Sequence, residues 1–135
     1  MNIRLLNFEV RGDERGQLVA LEGNKNVPLD IKRVFYIYGT KVGIPRGQHA
    51  HYHTKQLLVA IHGSCKVTLD NGKDKQTFDL DKPSIGLFQD AMIWGTMYGF
   101  SDDCVLMVLA SELYDESDYI RNYDDFMREV RGTKK

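Results

Sequence analysis

The stretch Pro45-Arg46-Gly47-Gln48-His49-Ala50-His51 concentrates the chain's capacity for proton chemistry. In an extended strand side chains alternate between two faces, so His49 and His51 leave the same face with Ala50 behind them. Imidazole titrates nearest to neutrality of all side chains, and two on one wall can accept and pass on protons within one cavity. Arg46 sets a permanent cation beside them, between the rigid backbone of Pro45 and the free one of Gly47. The combination suits a substrate that is both acidic and proton-labile.

The elements that must hold this stretch are short strands separated by turns. Residues 3–10 alternate apolar and polar side chains, a charged bend carries Gly12 and Gly16, and residues 17–21 return, which is hairpin grammar. Residues 31–38 are β-branched and aromatic, with Lys32, Val34, Tyr36 and Tyr38 on one face and Ile31, Arg33, Phe35 and Ile37 on the other. After the histidine strand comes the apolar run 56–61, closed by His62-Gly63. Residues 65–69 and 76–80 flank Asn71-Gly72, the strongest short hairpin signal. Further strands are expected over 84–88, 92–97 and 104–110. From about Ser117 the side chains of Tyr119, Ile120, Tyr123, Phe126, Met127 and Val130 recur at helical spacing, with Ser117 or Asp118 as N-cap. The expectation is an all-β domain, a jelly roll or small β-barrel of antiparallel strands, with a short C-terminal helix.

Composition narrows the functional classes. A chain of 135 residues is read as a single domain, 1–135. Its 18 Lys and Arg against 19 Asp and Glu give a formal charge of -1, so no overall field draws it to nucleic acid or to an anionic membrane. No apolar run reaches the length of a membrane span, and the start, Met1-Asn2-Ile3-Arg4-Leu5, lacks the apolar core of a signal peptide. Cys65 and Cys104 lie in alternating or apolar runs, as buried thiols of a reducing compartment do. A cytoplasmic protein is the expectation.

The spacing of Gly43, His49, His51 and Gly63 resembles the first cupin motif, with Gln56 at its glutamate position. In metal-binding cupins these histidines and the glutamate are ligands joined by a further histidine. In this chain that second region reads Asp90-Ala91-Met92-Ile93-Trp94-Gly95-Thr96-Met97, with glycine where the ligand would stand. A carboxamide and a hydrogen make a poor site for a borderline divalent ion, so no metal is expected, although His53 could offer a third imidazole.

Longer segments carry a closer resemblance. Residues 33–37, 45–51, 58–67 and 102–111, with Tyr114-Asp115-Glu116-Ser117-Asp118-Tyr119-Ile120-Arg121, are similar to the dTDP-4-keto-6-deoxyglucose 3,4-ketoisomerases, the WxcM-like sugar ketoisomerases of the cupin superfamily. The resemblance implies a cofactor-free homodimer that moves a ketone from C-4 to C-3 of a dTDP-sugar, ahead of amination to a 3-amino-3,6-dideoxyhexose of surface polysaccharides. In that chemistry His49 and His51 serve as base and relay, and Tyr36 offers a phenolic hydrogen bond to the enediolate. Arg33 and Arg46 are candidates to hold the diphosphate, with Trp94 as a pocket wall. Arg15 resembles the galacto-forming branch, whereas Gly95 stands where that branch has histidine, so mainly the galacto product is expected, with some gluco epimer. The homodimer is expected to pair or exchange the N-terminal strands, whose open edges need covering. A related cupin sugar-nucleotide epimerase and a non-catalytic sugar-binding cupin are the competing readings.

Overall fold

The computed structural model describes residues 3–41 and 43–132. Two five-stranded sheets face each other. The first runs β1 (Ile3–Asn7), β9 (Ile85–Gln89), β6 (Gln56–His62), β11 (Val105–Ala110) and β4 (Arg33–Ile37); the second runs β12 (Tyr119–Ile120), β5 (Arg46–His51), β10 (Trp94–Tyr98), β7 (Cys65–Asp70) and β8 (Lys75–Leu80). The pairings within them are antiparallel. A separate hairpin joins β2 (Arg11–Asp13) to β3 (Gly16–Leu18), and α1 (Tyr123–Gly132) closes the described chain. Among the described residues no ladder joins the two large sheets, so the expected jelly roll is present as an open sandwich rather than a closed barrel.

Alternation along the strands explains the packing. Leu58, Ala60, Cys65, Val67, Leu69, Leu87, Leu106 and Val108 point between the sheets and are almost fully buried. The outer face of the first sheet is also covered, by Phe8, Val27 and Leu29 lying on Leu57, Val59, Phe88 and Leu109. That is why β6 reads as a continuous apolar run rather than an alternating one. The outer face of the second sheet receives α1, whose Phe126 is wholly buried with Ala50 and Ile120, a burial that contributes about 1.5–3 kcal/mol.

Two expectations change. Residues 3–10 do not form a hairpin with 17–21; β1 pairs instead with β9, from Ile3↔Gln89 to Asn7↔Ile85. The turn signals of the charged bend are used within the bend itself, where the small hairpin β2–β3 forms and Gly16 takes φ 136°. At the other end Tyr119 and Ile120 are strand, not helix, and α1 starts later: the Asn122 carboxamide accepts from Asp125 N at 3.0 Å. An aromatic followed by a β-branched residue fits an open sheet edge as well as a helix stripe, and the edge of β5 was available. Asp118, expected as an N-cap, is buried and accepts from the backbone N–H of His53 and Thr54 at 2.8 and 3.2 Å, and from the Thr54 hydroxyl.

Candidate active site

The strand that carries the histidines is bent by a bulge. Gly95 pairs with His49 and Met97 with Arg46, so two residues, Gly47 and Gln48, face the single residue Thr96. Gly47 takes φ 90° and Gln48 φ 37°, and the latter costs on the order of 1–3 kcal/mol in a non-glycine residue. A Cβ on Gly47 would lie 3.0 Å from the Met97 methyl and 3.3 Å from the Gly95 carbonyl, so glycine is required there for space as well as for conformation. The extra residue sends Gln48 outward and turns His49 into the space between the sheets.

His49 and His51 therefore share the inner face, as the period-two argument requires. Their rings lie 4.9 Å apart, edge to face at 85°. Tyr119, paired with His51 across the β12–β5 ladder, lies 5.0 Å from His49 and 4.4 Å from His51. Its phenol completes a cluster of three rings. Arg121 stacks over Tyr119 at 4.2 Å and is held by Glu116 through bonds of 2.8 and 3.0 Å, while the Tyr114 hydroxyl donates to the same carboxylate at 2.7 Å. Arg121 and Tyr114 hold the Glu116 carboxyl down at about 2, so it stays anionic at neutral pH.

Burial sets the charge state of the imidazoles. His51 is 3 % exposed, and loss of hydration, reinforced by the neighbouring His49, pushes its pKa down to about 4. His49 is half-buried and is lowered by the same desolvation. Both rings are thus neutral at pH 7, and each has one lone pair to offer. The His49 Nδ1 lies against the Gly47 carbonyl, an acceptor, which assigns the proton to Nδ1 and the lone pair to Nε2. His51 Nε2 and Arg33 Nε are buried without a hydrogen-bond partner. Unpartnered polar atoms in an interior cost stability unless a ligand meets them.

The structure brings some of the expected residues together and separates others. Arg33, on β4, faces inward across the mouth of the sandwich, between Phe35 at 5.1 Å and Tyr114 at 5.7 Å, and its charge is felt by His51. Arg46 begins β5, exposed, immediately before the bulge. Tyr36 belongs to the outer face of β4 and is 64 % exposed beside Tyr38, so in this chain it does not stand with the histidines. The phenol that does is Tyr119, which the sequence reading placed in a helix. Trp94 alternates with the inward-facing Gly95 and packs outside the sheet on Tyr123 at 5.3 Å and Phe126 at 5.7 Å, where it lines a cavity of about 350 Å³ with Gln48 and Thr96, away from the inner face that carries the histidines. Arg15 sits on the β2–β3 hairpin, 87 % exposed, its guanidinium held by Asp13 at 2.7 Å. His53 follows the strand and lines a surface cavity of about 550 Å³ with Lys32, Tyr114 and Asp118, and His62 bonds the Asp103 carbonyl at 2.9 Å far along β6.

Gly95 does not leave the opening expected of a missing side chain. A Cβ there would stand 3.0 Å from Gln89 Nε2 and 3.4 Å from Gln89 Oε1, because that buried carboxamide already fills the space. Gln56 is buried at the neighbouring position of β6, in register with Gln89. Among the described residues no three His, Cys, Asp or Glu side chains are grouped to hold a metal ion, and two imidazoles with neutral carboxamides are a weak donor set for one.

Comparison with known proteins shows what the whole chain is similar to. The chain is 51 % identical over 130 residues, 96 % of its length and 94 % of the relative's, to the TDP-4-oxo-6-deoxy-alpha-D-glucose-3,4-oxoisomerase of Aneurinibacillus thermoaerophilus. A crystal structure of a 3,4-ketoisomerase from Helicobacter canadensis superposes with a TM-score of 0.94 at 45 % identity, covering 97 % of this chain and 98 % of the other. A histidine-to-asparagine variant of the QdtA 3,4-ketoisomerase from Thermoanaerobacterium thermosaccharolyticum, solved in complex with TDP-4-keto-6-deoxyglucose, superposes with a TM-score of 0.94 at 40 % identity, covering 97 % and 95 %. The model of the family described as FdtA: WxcM-like, C-terminal matches residues 1–131, and with these relatives it shows that the chain belongs to that family.

Proposed function

We propose that the protein is a sugar-nucleotide 3,4-ketoisomerase that converts TDP-4-keto-6-deoxyglucose to the 3-keto isomer through an enediolate, without a redox cofactor. The observation that carries this reading is the pair of neutral imidazoles on one inner wall, one of them with a buried and unpartnered Nε2. The C-4 ketone acidifies the C-3 hydrogen. His49 Nε2, the more accessible lone pair, takes that proton, and O-4 gains one to give the enediol. The O-3 proton then leaves as C-4 is protonated, so the ketone stands at C-3 and no electrons leave the sugar. His51 relays protons between the oxygens, and the Tyr119 hydroxyl donates to the developing oxyanion. Arg33, with a buried unpartnered Nε, and the exposed Arg46 supply donors for the diphosphate.

The protein acts as a homodimer in the cytoplasm. The β2–β3 hairpin is exposed throughout and pairs with no other described strand, and the outer face of β4 shows Val34, Tyr36 and Tyr38 to solvent. Arg15, exposed at the turn of that hairpin, is available there to a second copy. A monomer by light scattering at micromolar concentration overturns the dimer. The likeness of Arg15 to the galacto-forming branch favours the 3-keto-6-deoxygalactose product.

The test of the activity is incubation with TDP-4-keto-6-deoxyglucose in deuterium oxide. Deuterium at C-4 of a product whose ketone has moved to C-3 is expected. Exchange at C-3 and C-5 with the ketone unmoved means an epimerase, and no exchange means a binding protein.

A further inference from the structure

The inner face of the first sheet carries, against Gly95, a residue that no motif marks. Gln89 ends β9 on the same face as the core residue Leu87 and is 5 % exposed. Its Nε2 donates to the Ile93 carbonyl at 3.0 Å, which fixes the direction of the carboxamide. The amide plane lies where a side chain of residue 95 would begin, at 3.0 and 3.4 Å from that Cβ position, and Gly95 is the direct cross-strand partner of His49. A neutral carboxamide has two N–H donors and a carbonyl acceptor; Ile93 occupies one donor, leaving the other and Oε1 beside the Gly95–His49 pair.

We propose that Gln89 is a specificity-determining residue of the histidine pocket: filling the notch beside Gly95, it hydrogen bonds a hydroxyl of the bound sugar and fixes which face of C-4 receives the proton. This rests on the ketoisomerase reading. The enediolate is planar at C-3 and C-4, so the configuration at C-4 depends only on which face is presented to the acid. His49, His51 and Tyr119 form one wall. A directional contact from Gln89 on a second wall prevents the ring from turning over, as a hydrogen-bonding site does when it rejects the misplaced group. Gly95 and Gln89 act as a unit, because the carboxamide has its place only while residue 95 lacks a side chain. The pocket is therefore closed and selective, not the leaky one that the bare glycine suggests.

The experiment compares the C-4 epimers formed by the wild type, Gln89→Leu and Gly95→Ala, each product trapped by enzymatic C-3 amination and assigned from the H-4 couplings. Leucine keeps volume and burial while removing the amide. Alanine keeps the amide but displaces it. Wild type should give one epimer in at least roughly tenfold excess, and both variants should bring the ratio towards unity and raise KM by about tenfold, the scale of one lost polar contact, with the pH dependence of kcat unchanged. Variants that lose thermal stability yet keep the wild-type ratio and KM make Gln89 a clamp on the 90–93 turn and overturn the proposal. A Gln89→Leu chain that does not fold leaves Gly95→Ala to decide on the same ratio. A wild type that moves no ketone overturns the ketoisomerase reading itself; a wild type that is active but unselective overturns only this inference.

Discussion

The space between the two sheets has two ends, and the same force acts in both with opposite results. Towards one end Cys65 and Cys104 are buried with Val67, Leu80 and Leu106, and desolvation pushes the Cys65 thiol up to about 12. Towards the other, His51 is buried to a similar degree, and desolvation pushes its imidazole down to about 4. Burial favours the neutral form in each case. A neutral thiol is a poor nucleophile, so the first end is inert packing. A neutral imidazole keeps a lone pair, so the second end holds a base at pH 7. The contrast continues along individual strands: β4 passes from Arg33 to Ile37, β6 from Gln56 to Ala60, and β9 from Gln89 to Leu87. The polar residues Arg33, Gln56 and Gln89 lie, through Ala110, in one cross-strand row at one end of the first sheet, and His51 Nε2 and Arg33 Nε await partners. Burial alone does not distinguish a core from a site; a buried polar atom without a partner does.

If the two ends are divided in this way, changes at the histidine end should strike turnover and changes at the thiol end should strike stability. The largest effect is expected of His49→Asn and His51→Asn, each lowering kcat by at least roughly a hundredfold while binding of TDP-sugar by calorimetry stays nearly intact. Near-normal turnover in both would erase the distinction between the ends. Leu58→Ala, in the apolar end, should cost about 2–5 kcal/mol in denaturant unfolding and leave kcat of the folded protein unchanged.

The third expectation concerns pH. His51 holds its proton less tightly folded than unfolded, so the unfolded chain binds more protons between pH 6.5 and about 4. Its contribution to stability is therefore fully present above about pH 6.5 and is lost as pH falls towards 4, on the order of 3 kcal/mol in all. Unfolding curves of His51→Asn should lack that part of the acid sensitivity, whereas Cys65→Ala should keep it. The smallest effect sharpens the boundary of the site: Tyr119→Phe should lower kcat by about tenfold, the worth of one hydrogen bond, and Tyr36→Phe should leave it within about twofold. The reverse order would move the phenol of the reaction to the outer face of β4.

Much of the fold was legible from local chemistry. Alternation located β4 to β11 to within a residue or two, and Asn71-Gly72 placed the β7–β8 hairpin, with Gly72 at φ 96° as that turn requires. The N-terminal pairing was not legible, because an edge strand such as β1 chooses its partner over a sequence distance of 78 to 86 residues, beyond the reach of turn signals. Tyr119 was missed for a related reason. The stripe Tyr119, Ile120, Tyr123 and Phe126 satisfies helical spacing, yet its first two members were claimed by the open edge of β5.

The sequence by itself determined that His49 and His51 share a face, that the charge is balanced, and that two thiols would be buried, since each follows from period, count or local composition. Only the tertiary structure decided which face is inside. Parity along a strand fixes the relation of Tyr36 to Arg33 and of Trp94 to Gly95, but the sign of that relation is set by what the sheet packs against. Packing turned Arg33 and Gly95 inward and left Tyr36 and Trp94 outside. The bulge at Gly47 and Gln48, the tautomer that the Gly47 carbonyl assigns to His49, and the Gln89 carboxamide in the Gly95 notch are likewise contacts between elements. Each arises from strands meeting across space, which no local pattern in the chain encodes.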